Sequence, residues 1–137
     1  MVPGGREYRI GVDYERLLRK KLSRLGFVCV RAPASGKARG RLVYPDIVCV
    51  KEGKALFIEV KYRGDKRDIY IEKPSFHSLR YLAAKAECRI LLCVFYRDLG
   101  KFLCLDLMRP DLITEKYAVF RRESFLERGI ELEEVRP

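Results

Sequence analysis

Two apolar runs, Ile47–Val50 and Ala55–Val60, flank the tetrapeptide Lys51-Glu52-Gly53-Lys54, and this spacing constrains the fold more than any other stretch of the chain. Short apolar runs on either side of a glycine-containing turn read as an antiparallel hairpin. With Glu52-Gly53 as a two-residue turn, Lys51 pairs with Lys54 and Asp46 falls opposite Glu59. Side chains alternate along a strand, so Lys61 emerges on the same side as Glu59. Three charges converge at one end of the hairpin. A bulge would slip the register by one, weakening the convergence without removing it.

Charges of this kind are unusual at the end of a continuous apolar run, because a buried carboxylate or ammonium is costly unless paired or metal-bound. Glu59 with Lys61 alone reads as a solvated strand end. Asp46, directly after Pro45 and opposite in the hairpin, changes that reading. Two carboxylates on adjacent strands form a hard-oxygen site for Mg²⁺. Beside such a site Lys61 is placed to hold a water, or help deprotonate it, for attack on a phosphodiester.

The elements around the hairpin predict an α/β fold. Tyr14, Leu17, Leu18, Leu22 and Leu25 recur at helical spacing, which predicts an amphipathic helix over 11–25 that stops at Gly26. Glu15 lies at the edge of its apolar arc, while Arg16 and Arg19 point away. Phe27–Val30 reads as a buried strand and 32–44 as a basic loop. Arg63–Asp68 is a second basic stretch that leads to Tyr70-Ile71. Pro74 then opens a helix running to about Ala86. Arg89–Tyr96 and Lys101–Leu107 read as strands joined by Arg97–Gly100. The organisation expected is one domain over 1–137, with a basic arm (1–10), a core (11–107) and a C-terminal segment (108–137).

The formal charge is +10, carried by 29 Lys+Arg against 19 Asp+Glu. Residues 1–67 hold 17 of the basic and 7 of the acidic side chains, so the whole surplus lies in the first half. Such a balance predicts a polyanionic partner. At 48% hydrophobic the chain can bury a core, which excludes a disordered basic tail. No apolar run approaches the length of a bilayer span or of a signal peptide, so a soluble, cytoplasmic protein without a membrane partner is expected. Five cysteines, Cys29, Cys49, Cys88, Cys93 and Cys104, lack C-x-x-C spacing and sit mostly in apolar runs. Buried thiols are the expectation, and a disulfide would be surprising in an ordinary cytosol. The single His77 excludes a histidine-based metal site.

Pro45-Asp46 with Glu59-Val60-Lys61 resembles the PD-(D/E)-x-K signature of restriction-endonuclease-like nucleases. Its company is more specific: Gly11-Val-Asp-Tyr-Glu15-Arg16, then Arg31-Ala-Pro-Ala-Ser35-Gly36, then the signature, in that order. Together these are similar to the archaeal Holliday junction resolvases over roughly residues 10–107. The resemblance implies a restriction-endonuclease-like core, a central mixed β-sheet flanked by helices. It implies catalytic roles for Glu15, Ser35, Asp46, Glu59 and Lys61, and a metal held by Asp46, Glu59, the Val60 carbonyl and Glu15. Arg16 and Arg31 match positions that contact DNA phosphate or support the site, with Lys37, Arg39, Arg41 and Arg63 adding to the DNA-binding set.

The function implied is a Mg²⁺-dependent endodeoxyribonuclease, with Mn²⁺ as the alternative metal. It would resolve four-way DNA junctions by paired strand cleavage, leaving 5′-phosphate and 3′-hydroxyl ends. The partners implied are junction DNA and a second copy of the chain in a homodimer; no pattern names a replication or recombination protein. One alternative is a related nuclease acting on other branched or nicked DNA. Another is a non-catalytic nucleic-acid-binding module, against which the carboxylates argue, since a binder gains nothing from acids placed beside phosphates.

Overall fold

A computed structural model describes residues 6–32 and 42–137, with backbone alone for 6–9. The elements in chain order are α1 (Arg6–Arg24), β1 (Val28–Arg31), β2 (Ile47–Lys51), β3 (Lys54–Arg63), β4 (Ile69–Glu72), α2 (Lys73–Ala86), β5 (Arg89–Tyr96), β6 (Lys101–Asp106), β7 (Leu112–Ile113), β8 (Tyr117–Phe120) and α3 (Arg122–Arg128), followed by a 3₁₀ turn at Leu132–Glu134. The main sheet runs β1-β2-β3-β5-β6. Within it β3 and β5 are parallel and every other pair is antiparallel. A smaller antiparallel sheet runs β4-β8-β7. This is the expected mixed sheet flanked by helices.

The hairpin has the register read from its turn. Lys51 faces Lys54 and Ile47 faces Ile58. Glu52 and Gly53 both take positive φ, 52° and 77°. Two consecutive left-handed residues are what a two-residue hairpin turn requires, and glycine supplies the second without steric cost.

Each face of the main sheet has its own core. On one face α1 lays Leu18 and Leu22 against Ile47, Leu56, Ile58 and Cys93. On the other, α2 and the small sheet lay Phe76, Leu79, Ile69 and Phe120 against Ile90, Leu92 and Val94. The segment beyond Leu107 belongs to both cores, contributing Phe125 to the second and Leu132 and Val135 to the first. A core bounded at 107 is therefore too short.

Two further expectations need correction. The arm expected over 1–10 overlaps α1, which begins at Arg6 and passes straight through Gly11. An interior glycine costs a helix only about 1 kcal/mol, less than the apolar face of α1 recovers by burial. The cysteines are not all thiols. Cys29 is bonded to Cys49 and Cys93 to Cys104, leaving Cys88 free. Each pair faces directly across adjacent antiparallel strands, with Cα atoms 4.0 and 4.1 Å apart. The two bonds tie both outer strands of the main sheet to their inner neighbours. Among the described residues no helix is long and apolar enough to cross a membrane.

Candidate active site

Asp46 stands in a bend one residue before β2, and the hairpin register carries it opposite Glu59. Two hydrogen bonds lock the arrangement. The Asp46 amide donates to Glu59 Oε1 at 3.1 Å, and the Val60 amide donates to Asp46 Oδ2 at 2.8 Å. In an extended strand the N–H and C=O of one residue lie on the same edge, so the Val60 carbonyl also lies on the Asp46 side. Lys61, two residues past Glu59 and on its face, is half-buried.

Glu59 is the most enclosed of these groups, only 8% exposed. Its carboxyl is pushed from 4.5 up to about 8, first by burial and then by the negative charge of Asp46, with Lys61 opposing the rise. Glu15 enters from α1. Its carboxyl is also raised, first by burial and then by Asp46, while the Arg31 guanidinium works against that rise. Arg31 Nε donates to Glu15 Oε1 at 2.9 Å. Glu15 on α1 and Glu59 on β3 thus each feel the charge of Asp46, although among the described residues no three acidic side chains stand close enough together to hold a metal ion as they are arranged. Buried carboxyls raised further by the charge of Asp46 mark a negative potential that a divalent cation would neutralise, and the donor set is the hard oxygen kind that Mg²⁺ takes.

The remaining predicted residues fall into three groups. Arg31 sits against Glu15 and so holds a site carboxylate. Arg63 follows Glu59 and Lys61 on the same face of β3; it is half-buried, with a guanidinium nitrogen donating to the Tyr62 carbonyl at 3.3 Å. Arg16 is exposed and lies 3.8 Å from Asp13. Ser35, Lys37, Arg39 and Arg41 lie outside the described residues.

Arg19 escaped the sequence reading, which aimed it away from the site. It is half-buried, and its charge reaches Glu15, four residues earlier on α1. The signal was present: an acid followed by a base at i+4 shares one helix face.

A cavity beside this chemistry has a different character. A cleft of about 560 Å³, lined by Tyr44, Pro45, Val48, Phe57, Leu82 and Lys85 among others, adjoins Asp46 through Pro45. It continues an apolar half-face of β1 and β2 on which Val28 (71% exposed), Val30 (58%) and Val50 (43%) are left uncovered.

Comparison with known proteins gives the chain a family. The model of the family described as archaeal Holliday junction resolvase (Hjc) matches residues 6–136. The chain is 35% identical over 127 residues to the crossover junction endodeoxyribonuclease Hjc of Sulfurisphaera tokodaii, covering 91% of this chain and 84% of that one. It is 37% identical over 100 residues to the protein of the same name from Sulfolobus acidocaldarius, covering 72% and 68%. Among solved structures it is similar to Archaeoglobus fulgidus Hjc, a Holliday junction resolvase, with a TM-score of 0.76 at 25% identity over 90% of this chain and 98% of that one.

Proposed function

The chain belongs to the archaeal Holliday junction resolvase family and has its restriction-endonuclease-like fold, and we propose that it cuts four-way DNA junctions as a metal-dependent endodeoxyribonuclease. The observation that carries this reading is the crossed pair of hydrogen bonds holding Asp46 against Glu59 and Val60, with Lys61 on the same face.

Asp46, Glu59, the Val60 carbonyl and Glu15 would hold the cation, Mg²⁺ or Mn²⁺. When bound there, it supplies Lewis-acid stabilisation of phosphate oxygens and lowers the pKa of a coordinated water. Lys61 orients the attacking water and offsets charge as it loses its proton. Asp46 is held by the Val60 amide and Glu59 by the Asp46 amide, so neither carboxylate spends conformational freedom when the cation arrives. Arg31 keeps Glu15 turned to the site. In-line attack at phosphorus breaks the bond to the 3′ oxygen and leaves 5′-phosphate and 3′-hydroxyl ends. Ser35 acts from the loop after β1, and Arg16, Arg63, Lys37, Arg39 and Arg41 hold backbone phosphates, which position the DNA without reading its sequence.

A four-way junction is nearly two-fold symmetric and must be cut on two strands, which a C2 dimer with two active sites matches. The uncovered apolar half-face of β1 and β2, continuous with the cleft beside Asp46, supports a second copy of this chain as its cover.

The test compares a four-way junction with flap, nicked and plain duplex DNA at one salt concentration, with Mg²⁺ and with EDTA. Junction cleavage that needs Mg²⁺ is expected, and Asp46→Asn and Lys61→Met should lose it by at least about 10³-fold while still binding. An Asp46→Asn protein that cuts at the wild-type rate would refute the site, and preference for a flap or nick would replace the substrate.

A further inference from the structure

We propose that the groove between the C-terminal half of α1 and the start of β1 is a track for duplex DNA, carrying one arm of the branched substrate away from the carboxylate site. The proposal rests on the reading that the chain acts on branched DNA, and it extends the phosphate contact of Arg16 along α1 to Arg19 and Lys20. The groove measures about 340 Å³. Arg16, Arg19, Lys20 and Ser23 line it over an apolar floor that includes Phe27, and among the described residues no carboxylate lines it.

Its cations are poorly used within the protein. Arg16 meets only Asp13, at 3.8 Å, with both side chains about two-thirds exposed. Arg19 and Lys20 form no ion pair among the described residues. The Nε of Arg19 is buried with no hydrogen-bond partner among the described residues. Three cations gathered where the one ion pair among the described residues is the exposed contact of Arg16 with Asp13 repel one another and draw polyanions.

Position and length select the occupant. Arg19 stands one helical turn from Glu15, and its charge is felt there. From that end α1 runs toward the hairpin turn, where Lys51 Nζ donates to the Leu25 carbonyl at 2.8 Å. The groove therefore begins beside the candidate active site and leaves it along the outer edge of the sheet. Arg16 to Ser23 spans about 10 Å at 1.5 Å per residue, or about three base-pair rises of a duplex. Lys and Arg at this spacing hold phosphates of the sugar–phosphate backbone, and continuity with a DNA-cutting site favours a duplex arm over an acidic protein segment.

The test measures binding of a four-way junction in EDTA by fluorescence anisotropy across a range of NaCl concentrations. Arg19→Gln/Lys20→Gln should lower the slope of log K against log[salt] by about 2, since each lost phosphate contact removes about 0.9. Arg89→Gln/Arg109→Gln, at the start of β5 and just beyond the end of β6, should leave the slope unchanged. Lys20→Gln alone, at an exposed position, should lower it by about 1. That single variant carries the test if the double variant melts early. A folded Lys20→Gln protein with the wild-type slope overturns the track. If wild-type protein cuts no branched DNA, the function fails instead, and the slopes then report separately on duplex binding.

Discussion

Replacing Glu59 with glutamine is expected to stabilise the metal-free protein at alkaline pH and to flatten its pH dependence. In the folded chain the Glu59 carboxyl is pushed from 4.5 up to about 8, by burial first and by Asp46 second. In the unfolded chain it titrates near its ordinary value. Between those two values the folded state keeps a proton that the unfolded state has released, so stability falls as pH rises through the window. At about 1.4 kcal/mol per pH unit, the whole window amounts to about 5 kcal/mol. Glutamine does not titrate, and its Oε1 can still accept the Asp46 amide proton. Urea unfolding in EDTA from about pH 5 to about pH 9 measures the difference. The variant should gain on the wild type as pH rises through the window and level off above it. Mg²⁺ should restore wild-type stability in the upper part of the window, where a cation takes the place of the proton, and should do far less for the variant. Parallel pH curves for the two proteins would refute the burial argument, and equal stabilisation of both by Mg²⁺ would remove Glu59 from the metal site.

Reduction of the two disulfides opens loops with sequence separations of 20 and 11. Each should cost about 3 kcal/mol in the chain-entropy account, seen as a lower urea midpoint with dithiothreitol; five titratable thiols in unreduced, unfolded protein would refute the pairing. Arg31→Gln removes the group that holds the Glu15 carboxyl down, so Glu15 should ionise at higher pH. The acid limb of the cleavage pH profile should move toward alkaline pH, and an unmoved limb would take Glu15 out of the rate.

The hairpin was legible because its information is local. A turn with two positive-φ residues fixes the pairing, and pairing decides which side chains share a face. Asp46, Glu59 and Lys61 followed from Glu52-Gly53 without reference to the rest of the chain. The cysteine pairs needed one further step of the same logic. Extending antiparallel register from Arg97–Gly100 places Cys93 opposite Cys104, as observed; composition and compartment were weighed where geometry would have decided. The helix predicted over 11–25 begins at Arg6 instead, because the apolar stripe that marks it in the sequence starts only at Tyr14. The C-terminal segment stayed opaque for another reason. Phe120, Phe125, Leu132 and Val135 are buried by residues far away in sequence, and no local period announces such partners.

The charge asymmetry and the buried acids answer one electrostatic problem. Burial and the charge of Asp46 raise the proton affinity of Glu59 and Glu15, and an approaching phosphate raises it further, so the metal-free site repels its own substrate. Attraction must come from groups that keep their charge whether or not a cation is bound. Arg16, Arg19 and Lys20, which line one groove along α1, are such groups. Binding and cutting are then separable by construction. DNA is gathered by the basic half of the chain in the absence of metal, and the cation is required only for Asp46, Glu59 and Glu15 to be ionised together beside a phosphate. Junction affinity in EDTA should accordingly follow salt concentration and the count of groove cations, while cleavage follows the cation and the protonation of Glu59.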